Sequence, residues 1–175
     1  MTVITCRSLM DRFRAEYPVA HTLTVDLGPC LAEVGTNDEP LYRDLEHYFR
    51  SFTPHPDPAG HGAGERPVIR ITAHQAPEPE LWLHYVPRQP EPGKTKIKEE
   101  TADIEGGRVV RKRLTGMHFV FGPEGNLAVG PCRQNPNQVV NFVNNRFIEH
   151  LLNQGCLLGH ASGIALAGHG LALAG

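Results

Sequence analysis

The sequence predicts a mixed α+β or α/β protein, and three observations carry that expectation. Some short segments alternate apolar and polar residues, as residues 21–27 do with Leu23, Val25 and Leu27 on one face, which is the period of a strand. Others repeat apolar residues at helical spacing, as Leu41, Leu45, Tyr48 and Phe52 do. Turn-forming clusters separate them, among them Gly28-Pro29, Glu105-Gly106-Gly107 and Pro123-Glu124-Gly125-Asn126.

Taken in order, residues 8–16 suit a short helix. The strand over 21–27 turns at Gly28-Pro29 and returns over 31–34. Asn37 or Asp38 can cap the next helix, with Pro40 in its first turn. Residues 53–67 are rich in Pro, Gly and His and form a loop. Residues 68–74 alternate again, with Ile69 and Ile71 inward and Arg70 and Thr72 outward, and 82–86 is a further strand. The chain from 1 to 92 therefore forms an N-terminal α+β domain.

From Lys94 the texture changes, and residues 93–175 form a second unit. Segments 96–104 and 108–114 pair across Glu105-Gly106-Gly107, and 117–121 pairs with 127–129, giving two β-hairpins. Asn135-Pro136 opens a long helix whose buried stripe is Val140, Val143, Phe147 and Leu151, with Gly155 as its stop. Two apolar runs follow over 156–160 and 164–167, and Gly168-His169-Gly170 leads to a last strand over 171–174. No internal repeat is present.

Composition narrows the function. A length of 175 residues, 40% hydrophobic and 21% charged, allows a buried core in one domain or in a small domain plus part of another. A net charge of −2 gives no reason to expect nucleic acid or an anionic membrane as partner. The four cysteines, Cys6, Cys30, Cys132 and Cys156, form no CxxC pair, which argues against a cysteine-built zinc site. Residues 1–17 carry Arg7, Asp11, Arg12, Arg14 and Glu16 and lack the apolar stretch of a signal peptide. Reduced thiols and a cytoplasmic location are expected.

Residues 155–175 are uncharged, and Gly155, Gly159 and Gly163 stand four apart, as in packed membrane helices. His160, Ser162, His169 and the glycine content weigh against a span. Two buried strands joined by a glycine turn fit the pattern better.

Leu171-Ala172-Leu173-Ala174-Gly175 is a strand followed by one glycine. A phosphate-binding loop needs a buried strand, then G-x-x-x-x-G-K-[S/T], then a helix, because glycines let backbone N–H groups curl around phosphate. The run Gly155-Cys156-Leu157-Leu158-Gly159-His160-Ala161-Ser162-Gly163-Ile164-Ala165, followed by residues 168–175, resembles the HPr-kinase-related proteins. In that family an HA(S/A)G(V/I) strand precedes a G-x-G-(L/V)-(A/L)-L-x-G strand and then the loop. The resemblance extends more loosely to Glu91-Pro92-Gly93-Lys94, to residues 106–112, to Leu127-Ala128-Val129-Gly130-Pro131-Cys132 and to residues 137–142. These segments look like the subgroup called HPr-kinase-related kinase B, and residues 1–90 add little.

The resemblance implies that the hairpins and long helix lead into the first strands of a P-loop core. It implies ATP with Mg2+ as cofactors and transfer of the γ-phosphate to a hydroxyl acceptor on a protein, with a homo-oligomer left open. His160 falls at the family histidine and is the expected catalytic residue, near the γ-phosphate or the acceptor; the bland alternative is a buried histidine bonded to a backbone carbonyl. Gly175 is the first glycine of the loop and the expected cofactor-binding residue. No metal-binding residue is assigned. The loop lysine, the Mg2+-binding Ser/Thr and the downstream acidic residues are absent, so the chain is expected to be the front part of such a kinase and inactive alone.

Other candidates rest on the residues themselves. Lys94, Lys96, Lys98, Arg108, Arg111, Lys112 and Arg113 could receive a phosphate or an acidic partner, or form a solvated hairpin balanced by Glu99, Glu100, Asp103 and Glu105. His55, Asp57 and His61 could hold a metal, but in a loop that fixes nothing. Asn141, Asn144, Asn145 and Arg146 form a polar run in the long helix. No Ser-His-Asp or Cys-His-Asp set has supporting spacing. The rival readings are a non-catalytic regulatory or partner-binding domain and a protein attached to a membrane through 155–175.

Overall fold

The computed structural model describes residues 4–54, 66–90, 92–93 and 95–174. Among these residues three α-helices and ten strands form a mixed α+β arrangement, with eight strands in one sheet.

Helix α1 (Cys6–Glu16) starts at Thr5. The Thr5 hydroxyl accepts from the Ser8 amide at 3.0 Å, and the Ser8 hydroxyl accepts from the Thr5 amide at 2.9 Å. This reciprocal pair occupies donors that a first helical turn leaves open. Cys6, Leu9, Met10 and Phe13 recur at helical spacing and are buried. Helix α2 (Glu39–Tyr48) is capped by Asp38, whose carboxylate accepts from the Leu41 amide at 2.9 Å. Its stripe ends differently from expectation. The chain tightens into a 3₁₀ turn (Arg50–Phe52), so Phe49 is buried while Tyr48 and Phe52 are exposed. Leu41, Leu45 and Phe49 are the residues that face the core.

Strand β1 (His21–Asp26) pairs antiparallel with β2 (Leu31–Thr36), and β2 runs parallel to β3 (Val68–Gln75). β3 runs parallel to β8 (Gly125–Gly130). Beyond β8 come β7 (His118–Gly122), β6 (Gly107–Lys112), β5 (Glu99–Ile104) and β4 (Val86–Pro87), all antiparallel. The chain thus makes a β2–α2–β3 crossover and then a meander that lays β8 beside β3. The expected boundary at residue 92 falls between β4 and β5, which are neighbours in this sheet.

Alternation along the strands separates two cores. Phe119, Phe121 and Ala128 belong with α2 and α3 (Pro136–Asn153) on one face. Val120, Leu127 and Val129 belong with α1 on the other.

Two expectations need correction. Over 82–86 only Val86 joins a strand. The Leu83 amide bonds the Leu81 carbonyl at 2.9 Å, a tight local turn that competes with ladder pairing, and Trp82 is 89% exposed. In α3, Val139, Val140, Phe142 and Val143 are buried, whereas Phe147 and Leu151 are half-buried. The helix contacts α2, β2, β3 and β8, and its buried residues lie in its first half.

The fully buried Leu45 should therefore be worth more than Phe147. Leu45→Ala should destabilise by about 2–5 kcal/mol. Phe147→Ala should cost clearly less in the same denaturant titration. Equal losses would show that α3 buries its second half as well.

Candidate functional site

The end of α3 is set by a glycine. Gly155 has φ of 85°, its amide bonds the Leu152 carbonyl at 3.0 Å, and the Cys156 amide bonds Leu151 at 3.1 Å. These two bonds close the last turn in the way a left-handed residue after a helix permits. Residues 156–160 then lead to β9 (Ala161–Leu166) and β10 (His169–Ala174), an antiparallel pair in a two-stranded sheet of its own. Ala167 and Gly168, with φ of 49° and 79°, form the turn. Two consecutive left-handed residues match the right-handed twist of a hairpin.

A glycine-turned hairpin is present, but residues 156–160 form no strand, His169 and Gly170 belong to β10 rather than to the turn, and the expected burial is missing. Every residue of β9 and β10 is exposed, because no other layer of the described chain covers either face. The register sorts the side chains sharply. Ile164 faces Leu171, Leu166 faces His169 and Ser162 faces Leu173, so one face carries the large apolar groups. Ala161 faces Ala174, Gly163 faces Ala172 and Ala165 faces Gly170, so the other face is alanine and glycine alone. A Cβ placed on Gly159 or Gly170 would meet nothing within 4 Å, and one on Gly163 would meet only the Leu171 carbonyl at 3.9 Å. Nothing in the described chain requires these glycines.

His160 is exposed and immediately precedes Ala161, the partner of Ala174. It stands at the end of the hairpin from which the chain passes to Gly175, a residue outside those described. Among the described residues no helix is long and apolar enough to cross a membrane.

The basic stretch is a charge ladder. Three facing pairs of the β5–β6 hairpin are of opposite sign, Glu99 with Lys112, Glu100 with Arg111 and Asp103 with Arg108. Arg108 donates to both Asp103 oxygens at 2.6 and 3.2 Å, and Arg111 reaches Glu100 at 3.0 Å and Glu78 at 2.7 Å. The solvated-hairpin reading is the one the geometry fits for Arg108, Arg111, Lys112 and Arg113, while Lys96 and Lys98 have no carboxylate partner among the described residues. Lys94 lies outside the described residues, as do His55, Asp57 and His61. Of the polar run in α3, Arg146 is folded against Phe121 and Phe142, and Asn141 and Asn145 are exposed. Among the described residues no three His, Cys, Asp or Glu side chains converge as a metal-binding group.

Sequence reasoning passed over two buried histidines. His74 on β3 is 1% exposed and its Nδ1 has no hydrogen-bond partner. Burial pulls its pKa down to about 4, the Tyr17 backbone partly opposes this, and the Arg14 cation adds to it. His118 on β7 is equally buried, and burial lowers its pKa too. Its Nδ1 lies 3.1 Å from the Gly116 carbonyl, and since a carbonyl only accepts, Nδ1 carries the proton. His74 shares its strand face with Arg70 and Thr72, the face expected outward, so alternation gave no signal of its burial; His118 stands between Met117 and Phe119. His74 is enclosed in the fold, whereas His118 lines a second cavity of about 500 Å³ with Glu78, Glu80, Tyr85 and Arg111.

No protein-family model matches the chain, and comparison with curated proteins and with solved structures gives no match either.

The buried histidines fix a pH dependence. A histidine whose pKa falls from 6.5 to about 4 on folding is protonated first in the unfolded chain. Its contribution is complete above the unfolded value and is lost as pH drops through that window. From about pH 7 to about pH 5, His74 should remove roughly 1–2 kcal/mol of stability. His118 acts in the same direction. Urea unfolding at both pH values, with His74→Leu flattening the difference, checks this; an unchanged difference in that variant would refute it.

Proposed function

We propose that this chain is the front part of an ATP-dependent serine/threonine protein kinase related to HPr kinase, with β9 and β10 as the opening strands of its nucleotide-binding core. The observation that carries the reading is the sidedness of the hairpin. One face is large and apolar and the other is alanine and glycine, with no cause for those glycines among the described residues. A strand pair of that kind suits the interior of a sheet covered on both sides, where small residues admit a closely packed layer. The position of His160 next to Ala161, the partner of Ala174, suits a histidine that hydrogen-bonds or moves a proton at the acceptor hydroxyl. Gly175 would give its backbone N–H to phosphate.

The residues present do not by themselves fit ATP and Mg2+. Residues 155–175 contain no lysine and no carboxylate, so nothing there neutralises a triphosphate or ligates Mg2+. No step of phosphoryl transfer is assigned to this chain alone. A second reading, a partner-binding module, is favoured by one feature: both outer edges of the hairpin are unpaired, and open edges accept added strands.

The gene sequence beyond the Gly175 codon separates the two. S-G-x-G-K-[S/T] supports the kinase, and a stop codon supports the binding module. Calorimetric titration of the 175-residue chain with Mg-ATP should show no saturable heat below millimolar concentration; a micromolar site would sink the fragment reading. In a chain carrying the loop, His160→Ala should reduce phosphoryl transfer far more than it reduces stability. Parallel losses would make the histidine structural.

A further inference from the structure

We propose that the cavity between α3 and strands β5–β7 binds a small anionic amphiphile, a molecule with a carboxylate or phosphate head on a flat or aliphatic apolar body. The proposal is independent of the kinase reading, because no residue of 155–174 lines the cavity.

The space exists because helices α2 and α3 cover only part of their face of the sheet. Strands β5–β7 continue past α3, so the helix flank becomes a wall and the strands a floor. The volume is about 610 Å³, within the usual ~300–1,000 Å³ of small-molecule sites. The floor is apolar, with Val110, Phe119 and Phe121, and Phe142 of the α3 wall adjoins it. A body without charge fits there, and burying it releases water from aromatic surface.

The charge around that floor selects the head. Arg88, Lys98, Lys112 and Arg146 line the cavity against two carboxylates, Glu99 and Glu149, an excess of two positive charges. Arg88 and Lys112 share Glu99, and Arg146 pairs with Glu149. Lys98 has no carboxylate partner among the described residues. Arg146 lies over aromatic rings, its guanidinium carbon 4.1 Å from the centre of the Phe121 ring and 5.4 Å from that of Phe142, with a side chain only 11% exposed. Its Nε is buried without a partner. A cation fixed on aromatic rings in a partly dry site strengthens its attraction to an anion. Asn141 and Asn145 line the same wall, and their amides make no hydrogen bond to described residues, so they are free to orient a head group. A bare anion would leave the floor unused, and a neutral apolar molecule would leave Lys98 unanswered.

The probe is 1-anilinonaphthalene-8-sulfonate, followed by fluorescence and displaced by decanoate or by decanol. Saturable binding is expected, weakened by salt. Decanoate should displace the probe about tenfold better than decanol, and Lys98→Glu should weaken the probe by a similar factor, the scale of one charge-assisted contact. Asn141→Trp should fill the cavity and abolish binding. Both substituted residues are exposed, so the fold is expected to survive, which circular dichroism checks. The pair Leu171→Ser with Leu173→Ser should leave binding unchanged. Equal displacement by decanol or by inorganic phosphate would overturn the proposal, as would indifference to Lys98→Glu and Asn141→Trp, or loss of binding in the hairpin pair.

Discussion

The contact on which the large sheet depends is the ion pair of Asp38 with Arg133. Arg133 reaches both oxygens of Asp38, one of them through Nε at 3.2 Å, and the carboxylate also accepts from the Leu41 amide at 2.9 Å. These partners hold the Asp38 pKa below its ordinary value, the arginine hydrogen bond first, against the opposing effect of burial. One side chain therefore caps α2 and ties the β2–α2 connection to the β8–α3 connection. Around it the Asn37 amide bonds the Gln75 backbone twice, at 2.8 and 3.0 Å, and the Gln75 side chain accepts from the Arg133 amide at 2.7 Å. The Cys132 thiol donates to the His74 carbonyl at 3.3 Å. The Asp38 side chain is 7% exposed and that of Arg133 51%, so water screens the pair from the arginine side, and the Leu41 amide still caps the carboxylate from the other.

That node also decides where function is not. The carboxyl ends of parallel strands are where open α/β sheets collect ligands, since loops and helix starts converge there. In this sheet the same end of β2, β3 and β8 is filled by Asn37, Asp38, Gln75 and Arg133 bonding one another. The α3 cavity and the β9–β10 hairpin both lie away from that node.

Most elements were legible in the sequence because their signals are local. The Asp38 cap, the helical spacing of Leu41 and Leu45, and the alternation of residues 68–74 each depend on residues within one or two turns. What was not legible depends on partners far along the chain. Phe49 replaces Phe52 in the core because the helix tightens at its end. Phe147 is only half-buried because the described chain covers the second half of α3 only in part. Trp82 looked like a strand residue, but a turn between Leu81 and Leu83 breaks the ladder. The Asp38–Arg133 pair joins residues ninety-five apart, and no period in the sequence announces it. At the candidate site, a hairpin followed from apolar runs and a glycine turn, while its register, its bounds and its exposure did not.

The contrast between the two sheets carries the argument about that exposure. The large sheet ends on one side in β4, two residues long and containing Pro87, beside the charged strand β5. Short length, proline and charge are the ordinary ways an edge avoids pairing with another chain. Its glycines are required by contact: a Cβ on Gly107 would lie 2.5 Å from the Phe121 carbonyl oxygen, and one on Gly122 would lie 2.1 Å from that of Gly106. The hairpin has none of these protections. Its strands are uncharged, its edges are open, and its glycines at 163 and 170 answer to nothing nearby. A sequence that guards one sheet edge with proline and charge, and fits glycines where the backbone crowds, leaves a bare apolar hairpin only where another layer fits. That contrast is what supports the proposal that β9 and β10 are interior strands of the working protein. In that setting the alanine and glycine face lets the covering layer approach closely, and the leucine and isoleucine face completes a second core.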